Sequence, residues 1–190
     1  EIMALAGKKG IDPEGRFLPD TYFVPLSGNK SQILIDASAA MDTALAEAWA
    51  KRDASLPLKS PDQLLVLASI VEKETGQAHE RPEIAGVFVR RLQKKMRLQT
   101  DPTVIYGMGD AYQGNIRKQD LQRDTPYNTY MRTGLPPTPI AMPGRAALTA
   151  SAHPAGGDDL YFVAKGNGEH FFSASYEEHK KAVSTYQLKQ

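Results

Sequence analysis

The strongest pattern in the chain is a run of apolar positions after Ser60. Leu64, Leu65, Val66, Leu67, Ala68, Ile70 and Val71 cover nearly every side of a helix, which predicts a central, buried element. Its start is marked by Ser60 as N-cap, Pro61 at the first helical position and Gln63 as partner in a capping box; its stop is expected near Gly76. Before it, Ile33, Leu34, Ala37, Met41, Ala44, Leu45, Ala48 and Trp49 recur at three- and four-residue steps, predicting a helix over 31–51. After it, Ile84, Val87, Phe88 and Leu92 form one face of a helix over about 82–95, whose other face carries Arg90, Arg91, Lys94 and Lys95. The first thirty residues, with Arg16–Phe23 as their aromatic part, read as a turn plus a short strand.

Residues 97–145 break the pattern. Gly and Pro recur through them, with Tyr106, Tyr112, Tyr127 and Tyr130 interspersed, which predicts a long and mostly irregular ordered loop. Such loops within compact domains are usually functional. Regular structure is expected again at 145–152 as a short helix, and at 160–164 and 170–173 as two strands turning through Gly166, Asn167 and Gly168. Ser175 and Glu178 form a second capping box ahead of a last helix carrying Ala182, Val183 and Tyr186. Helices and one hairpin in this order predict an α+β fold, not a parallel α/β sheet.

Composition narrows the chemistry. The 190 residues suffice for one sizeable core, and 41% hydrophobic with 24% charged content is that of a globular domain. A net charge of +1 gives no electrostatic reason to expect nucleic acid or an anionic membrane surface as ligand, while a sugar polymer is compatible with it. With no cysteine, disulfides and thiolate metal sites are excluded, and His79, His153, His170 and His179 are too widely spaced for a metal-ligand motif. No metal or cofactor is expected. No serine-hydrolase nucleophile elbow is present. No run approaches the roughly 20 apolar residues of a membrane span, and the chain begins at Glu1 without an initiator Met, so it reads as a fragment.

Two carboxylates sit at the end of the buried helix, Glu72 and Glu74. Two residues rotate about 200° around a helix, so they face nearly opposite sides and cannot work as the carboxylate pair of most glycosidases. Glu74 follows Val71, Ile70 and Leu67 and so continues an apolar stripe; Glu72 follows Ser69, Ala68 and Leu65. A carboxyl against apolar walls has its charged form disfavoured and its pKa raised, which suits a general acid near neutral pH. Glutamates at a helix end are also commonly solvated or salt-bridged, here to Lys73, Arg81 or Arg90.

The segment 68–75, Ala-Ser-Ile-Val-Glu-Lys-Glu-Thr, resembles the signature of the YceG-like endolytic murein transglycosylases. The resemblance continues through 96–107 (Met-Arg-Leu-Gln-Thr-Asp-Pro-Thr-Val-Ile-Tyr-Gly), 127–130, 134–137, 152–154 and 160–164, and Glu14–Phe23 is similar to the family's entry to this domain. It implies a lysozyme-like catalytic domain with a helical core, a hairpin and a groove-lining loop. It also implies that Glu74, followed by the hydroxyl of Thr75, is the catalytic general acid and base, with Glu72 supporting the fold or binding nearby. The implied reaction cleaves the β-1,4 bond between MurNAc and GlcNAc within glycan strands and leaves 1,6-anhydro-MurNAc ends. The family's N-terminal transmembrane helix and LysM-like region are absent from residues 1–190. The resemblance implies an envelope protein anchored in the inner membrane with this domain on the periplasmic side, and penicillin-binding synthases as partners.

Under that resemblance the irregular loop lines the glycan groove. Gln99, Thr100, Asp101, Asn128 and Thr129 are candidates to bond sugar hydroxyls and acetamido groups; Tyr106, Tyr127 and Tyr130 are candidates to pack on sugar faces. Asp, Asn and Thr equally often satisfy turn backbones, above all Asp101 before Pro102. The basic face with Arg90 and Arg91 reads as solvated, with contact to an acidic stem peptide as the sharper option. Two competing functions are a water-using hydrolase on the same site and a non-catalytic glycan-binding module.

Overall fold

The computed structural model describes residues 2–23 and 29–187. Its elements are α1 (Ile2–Leu5), α2 (Lys30–Lys51), α3 (Pro61–Glu74), α4 (Arg81–Gln93), α5 (Asp101–Met108), α6 (Lys118–Gln122), α7 (Arg145–Ala152), β1 (Tyr161–Ala164), β2 (His170–Ser173) and α8 (Tyr176–Tyr186), with single 3-10 turns at Ala78–Glu80 and Gly109–Ala111. The mixture of helices with one antiparallel hairpin is the expected α+β class. No helix among the described residues is long and apolar enough to cross a membrane.

Helix α3 is the axis of the core. Leu64, Leu65, Leu67, Ala68, Ile70 and Val71 have no exposed surface, and α2, α4, α5 and α7 pack around them. Truncating one such leucine to alanine costs about 2–5 kcal/mol. The start is capped as expected, Ser60 Oγ accepting from Gln63 N at 3.3 Å; but Gln63 Oε1 accepts from Lys59 N, one residue earlier than a reciprocal box requires. The box on α8 is complete: Ser175 Oγ accepts from Glu178 N, and Glu178 Oε2 from Ser175 N.

Two expectations need correction. No strand forms in the described part of the first thirty residues; positions 24–28 of that stretch lie outside the described residues. Leu18 is buried and its N–H is donated to Ala37 O on α2, so the segment docks on a helix and has no second strand to pair with. The stretch 97–145 is more regular than its Gly and Pro content suggested, because it holds α5 and α6. Pro102 falls in the first turn of α5, where its missing N–H is harmless, so it begins a helix instead of breaking one.

The Pro-rich return from this stretch is stapled along α3. Buried Ser69 Oγ accepts from Ile140 N at 3.0 Å, and one turn further Glu72 Oε2 accepts from Gly144 N at 2.9 Å. At the other end of the core, β1 and β2 pair in the register Tyr161↔Ser173 to Ala164↔His170. Gly166 and Gly168, both at positive φ, make the turn between them. Glu80 then ties this hairpin to the turn before α4, accepting from His170 N at 2.7 Å.

Candidate active site

Glu74 is the last residue of α3, where the helix runs out of the core. Its side chain meets the start of α5, and Thr100 Oγ1 donates to Glu74 Oε2 at 2.7 Å. Thr100 stands at the N-cap position of α5 but makes no cap bond with its side chain, since that hydroxyl is spent on Glu74. Its own N–H is held by Thr129 Oγ1 at 3.1 Å, which also exchanges a bond with Thr103 Oγ1 at 2.8 Å. Gln99, just before, is held at φ 52°, a left-handed conformation uncommon for a residue with a side chain. Sparsely populated backbone of this kind persists where surrounding contacts enforce it.

Burial pushes the Glu74 carboxyl from its ordinary 4.5 up to about 7, against the opposing pull of the Thr100 bond and of the charges on His170 and Arg91. The half-buried group opens on a cavity of about 450 Å³ whose walls include Arg91, Gln99, Asp101, Tyr130, Tyr161 and His170. Asp101, the other carboxyl on this wall, is exposed and accepts from Tyr130 Oη at 2.6 Å. Glu72 is elsewhere. It holds Gly144 N and lies 3.8 Å from the Arg81 guanidinium, so the two acids leave α3 in different directions.

The remaining candidates divide sharply. Gln99, Asp101 and Tyr130 stand on the cavity wall with Glu74; Thr100 reaches it only through its bond to Glu74 and is itself buried. Thr129 and Asn128 are buried. Asn128 Nδ2 donates toward Asp120 O, Leu121 O and Arg123 O, and its Oδ1 accepts from Tyr130 N, so it holds the loop together. Tyr106 and Tyr127 pack ring to ring at 4.8 Å, and Tyr127 Oη bonds Thr138 Oγ1; neither lines the cavity. Thr75, the hydroxyl after Glu74, turns away from the cavity: its Oγ1 accepts from Gln77 N and donates to Glu80 Oε2.

The cavity also contains residues that sequence reasoning missed. Arg91 was read as part of a solvated face but is 7% exposed. Its Nε donates to Leu160 O at 2.6 Å and its Nη1 to Leu98 O at 2.9 Å, so it joins the hairpin to the segment leading into α5. Its neighbour Arg90 is likewise committed to Asp159 O and Ala155 O, leaving Lys94 and Lys95 as the exposed basic pair. Tyr161 and His179 stack at 5.2 Å on the far wall. His170 faces the cavity from β2. Only the signature that named Glu74 could have drawn attention here; the fold that brings a hairpin over the end of α3 leaves no local trace in the spacing of these residues.

Fold and site together define a helical domain with a cavity at the end of its buried helix, onto which a carboxyl of raised pKa opens. The chain matches the YceG-like family over residues 3–185 and belongs to that family, as its motifs implied. It is similar to an endolytic murein transglycosylase of Bacillus subtilis (strain 168), 40% identical over 173 residues, which are 91% of this chain and 48% of the relative. A relative of the same description from Streptococcus pneumoniae serotype 2 (strain D39) is 32% identical over 179 residues, covering 91% of this chain and 32% of the relative. The crystal structure of a yceG-like protein from Listeria monocytogenes superposes with a TM-score of 0.78 at 35% identity, covering 95% of this chain and 62% of that one. The chain thus spans about half, or less, of the length of these curated relatives.

Proposed function

We propose that residues 1–190 form the lysozyme-like catalytic domain of an endolytic peptidoglycan lytic transglycosylase, with Glu74 as general acid and base. The observation that carries this reading is the Glu74 carboxyl, half-buried on a cavity wall and poised at about 7. Near neutral pH such a group is partly protonated, so it can give a proton and take one back. The protonated carboxyl donates to the glycosidic oxygen as the MurNAc C1–O bond breaks, and the GlcNAc side departs as an alcohol. The C6 hydroxyl of the same MurNAc attacks C1, and its proton returns to Glu74. The nucleophile is intramolecular and already close, so no water is consumed and no carboxylate nucleophile is needed. Gln99, Asp101 and Tyr130 supply polar and aromatic contacts for the glycan; Glu72, Asn128, Thr129, Tyr106 and Tyr127 support the walls.

Kinship with the Bacillus and Streptococcus transglycosylases supports peptidoglycan strands as the substrate and the cell envelope as the site of the reaction. A longer protein anchored in the inner membrane, meeting penicillin-binding synthases on the periplasmic side, is the corresponding proposal for the whole.

Glu74→Gln preserves shape and removes the acid. It is expected to fold normally and to lose about 10²–10⁴ in kcat/KM on purified peptidoglycan. Wild-type products are expected to end in anhydro-MurNAc, one water lighter than the hydrolytic ends. Hydrolytic ends would assign the site to a water-using hydrolase, and glycan binding without any turnover would assign it to a binding module. Asp101→Asn is expected to lose less than about tenfold, about 1.4 kcal/mol of transition-state stabilisation; a loss as large as that of Glu74→Gln would make the mechanism a two-carboxylate one.

A further inference from the structure

His170 and Glu80 form a carboxylate–imidazole pair on the cavity wall that the single-carboxyl mechanism does not use. Glu80 is 3% exposed, although it is a charged residue. Burial alone would raise its pKa, but hydrogen bonds from the His170 ring and the His170 N–H, the attraction of the ring when it is charged, and the bond from Thr75 Oγ1 outweigh that and hold the carboxyl below its ordinary value. Glu80 is therefore an anion that accepts from His170 Nδ1 at 2.8 Å and from His170 N at 2.7 Å. A carboxylate at Nδ1 fixes the neutral ring as the Nδ1–H tautomer and leaves a lone pair on Nε2. The ring packs against Phe162, edge-on at 5.3 Å, and against Phe172 at 6.4 Å. Nε2 has no hydrogen-bond partner among the described residues, and the ring lines the same cavity as Glu74. A base oriented by a third group beside the reacting atoms is the recurring arrangement of activated hydroxyls in enzymes.

We propose that His170 Nε2 is the base that accepts the proton of the attacking C6 hydroxyl, with Glu80 as its positioning residue. The inference rests on the transglycosylase reading and divides between two groups the proton work assigned there to one. Glu74 gives its proton to the glycosidic oxygen as C1–O4 breaks. The C6–O bond to C1 forms while its hydroxyl proton passes to Nε2. The resulting imidazolium is stabilised by Glu80, and the proton goes back to the Glu74 carboxylate through solvent, so atoms and charge balance and no water is consumed. The other charged and titratable groups lining the cavity with this ring are Arg91 from α4, Asp101 from α5, Tyr130 from the loop, Tyr161 from β1, and Tyr176 and His179 from α8.

The pH profile of kcat/KM tests this on the wild-type protein, with circular dichroism recorded over the same range. A protonated Glu74 alone gives one limb, falling toward alkaline pH. A neutral His170 in addition gives a bell, with an acid limb at pH values where the fold is intact. His170→Asn places an amide where Nδ1 stood, so it keeps the Glu80 contact and removes Nε2. It is expected to lose about 10² in kcat, with KM little changed and the acid limb gone. Glu80→Gln is expected to lower kcat with KM little changed, because the ring loses the carboxylate that orients it; a merely structural role would lower stability without lowering kcat of the folded protein. A wild-type profile with only the alkaline limb, or His170→Asn with wild-type kcat, overturns the inference while Glu74→Gln remains inactive. An active Glu74→Gln would instead overturn the transglycosylase reading beneath it.

Discussion

Glu74 costs the fold free energy when it is charged, and that cost is measurable. Its pKa is raised in the folded protein from 4.5 to about 7, so between those values the folded state binds more protons than the unfolded chain. Stability is therefore fully favoured below pH 4.5 and falls as pH rises through 7. The full shift corresponds to at most about 3 kcal/mol. Glu74→Gln, which cannot ionise, is expected to be more stable than wild type at pH 8 by up to that amount, with the difference closing below pH 5; urea titrations at the two pH values measure it. Thr100→Val removes a hydrogen bond that favours the carboxylate. It should push the Glu74 pKa further up and carry the alkaline limb of kcat/KM with it. A limb that stays in place would show that Thr100 does not act on Glu74.

Among the elements, those legible in the sequence were the ones with strong periodicity or caps: α2, α3, α4, α7, the hairpin and α8 all fall within a residue or two of their expected bounds. What was not legible depended on partners distant in the chain. The extended N-terminal segment lacked a second strand, and Pro102 was counted within an irregular loop although it begins α5, behind a Thr100 held by Thr129 and Glu74, 29 and 26 residues away. Arg91 looked like surface because the carbonyl it meets at Leu160 is 69 residues on. Of the site, Glu74 was legible through its apolar stripe and family motif, and Asp101, Gln99 and Tyr130 through the loop; His170 and Arg91 were not. Asn128 shows why a polar loop residue need not touch substrate. Asn128→Ala strands the carbonyls of residues 120, 121 and 123, and is expected to destabilise by about 1–3 kcal/mol, lowering the melting temperature by several degrees. Gly86 offers a second test between elements, because a Cβ there would stand 2.4 Å from Ala155 O. Gly86→Ala should push the segment after α7 off α4 and lower stability.

At the scale of the molecule, stability and chemistry share one helix. Leu64–Val71 of α3 anchor the core, and the last residue of the helix carries the acid. Hydrogen exchange should reflect this, with amides of Leu64–Val71 exchanging only through global unfolding and those of 109–124, largely exposed, exchanging through local opening. The same rigidity keeps Glu74 against its apolar neighbours while α5 and the hairpin wall the cavity around it. Titration of the Glu74 side-chain carboxyl by carbon-13 NMR, assigned by its loss in Glu74→Gln, tests the account most directly. A midpoint near 7 is expected; a midpoint at the ordinary 4.5 would mean that the carboxyl is an anion at working pH, with no proton to give.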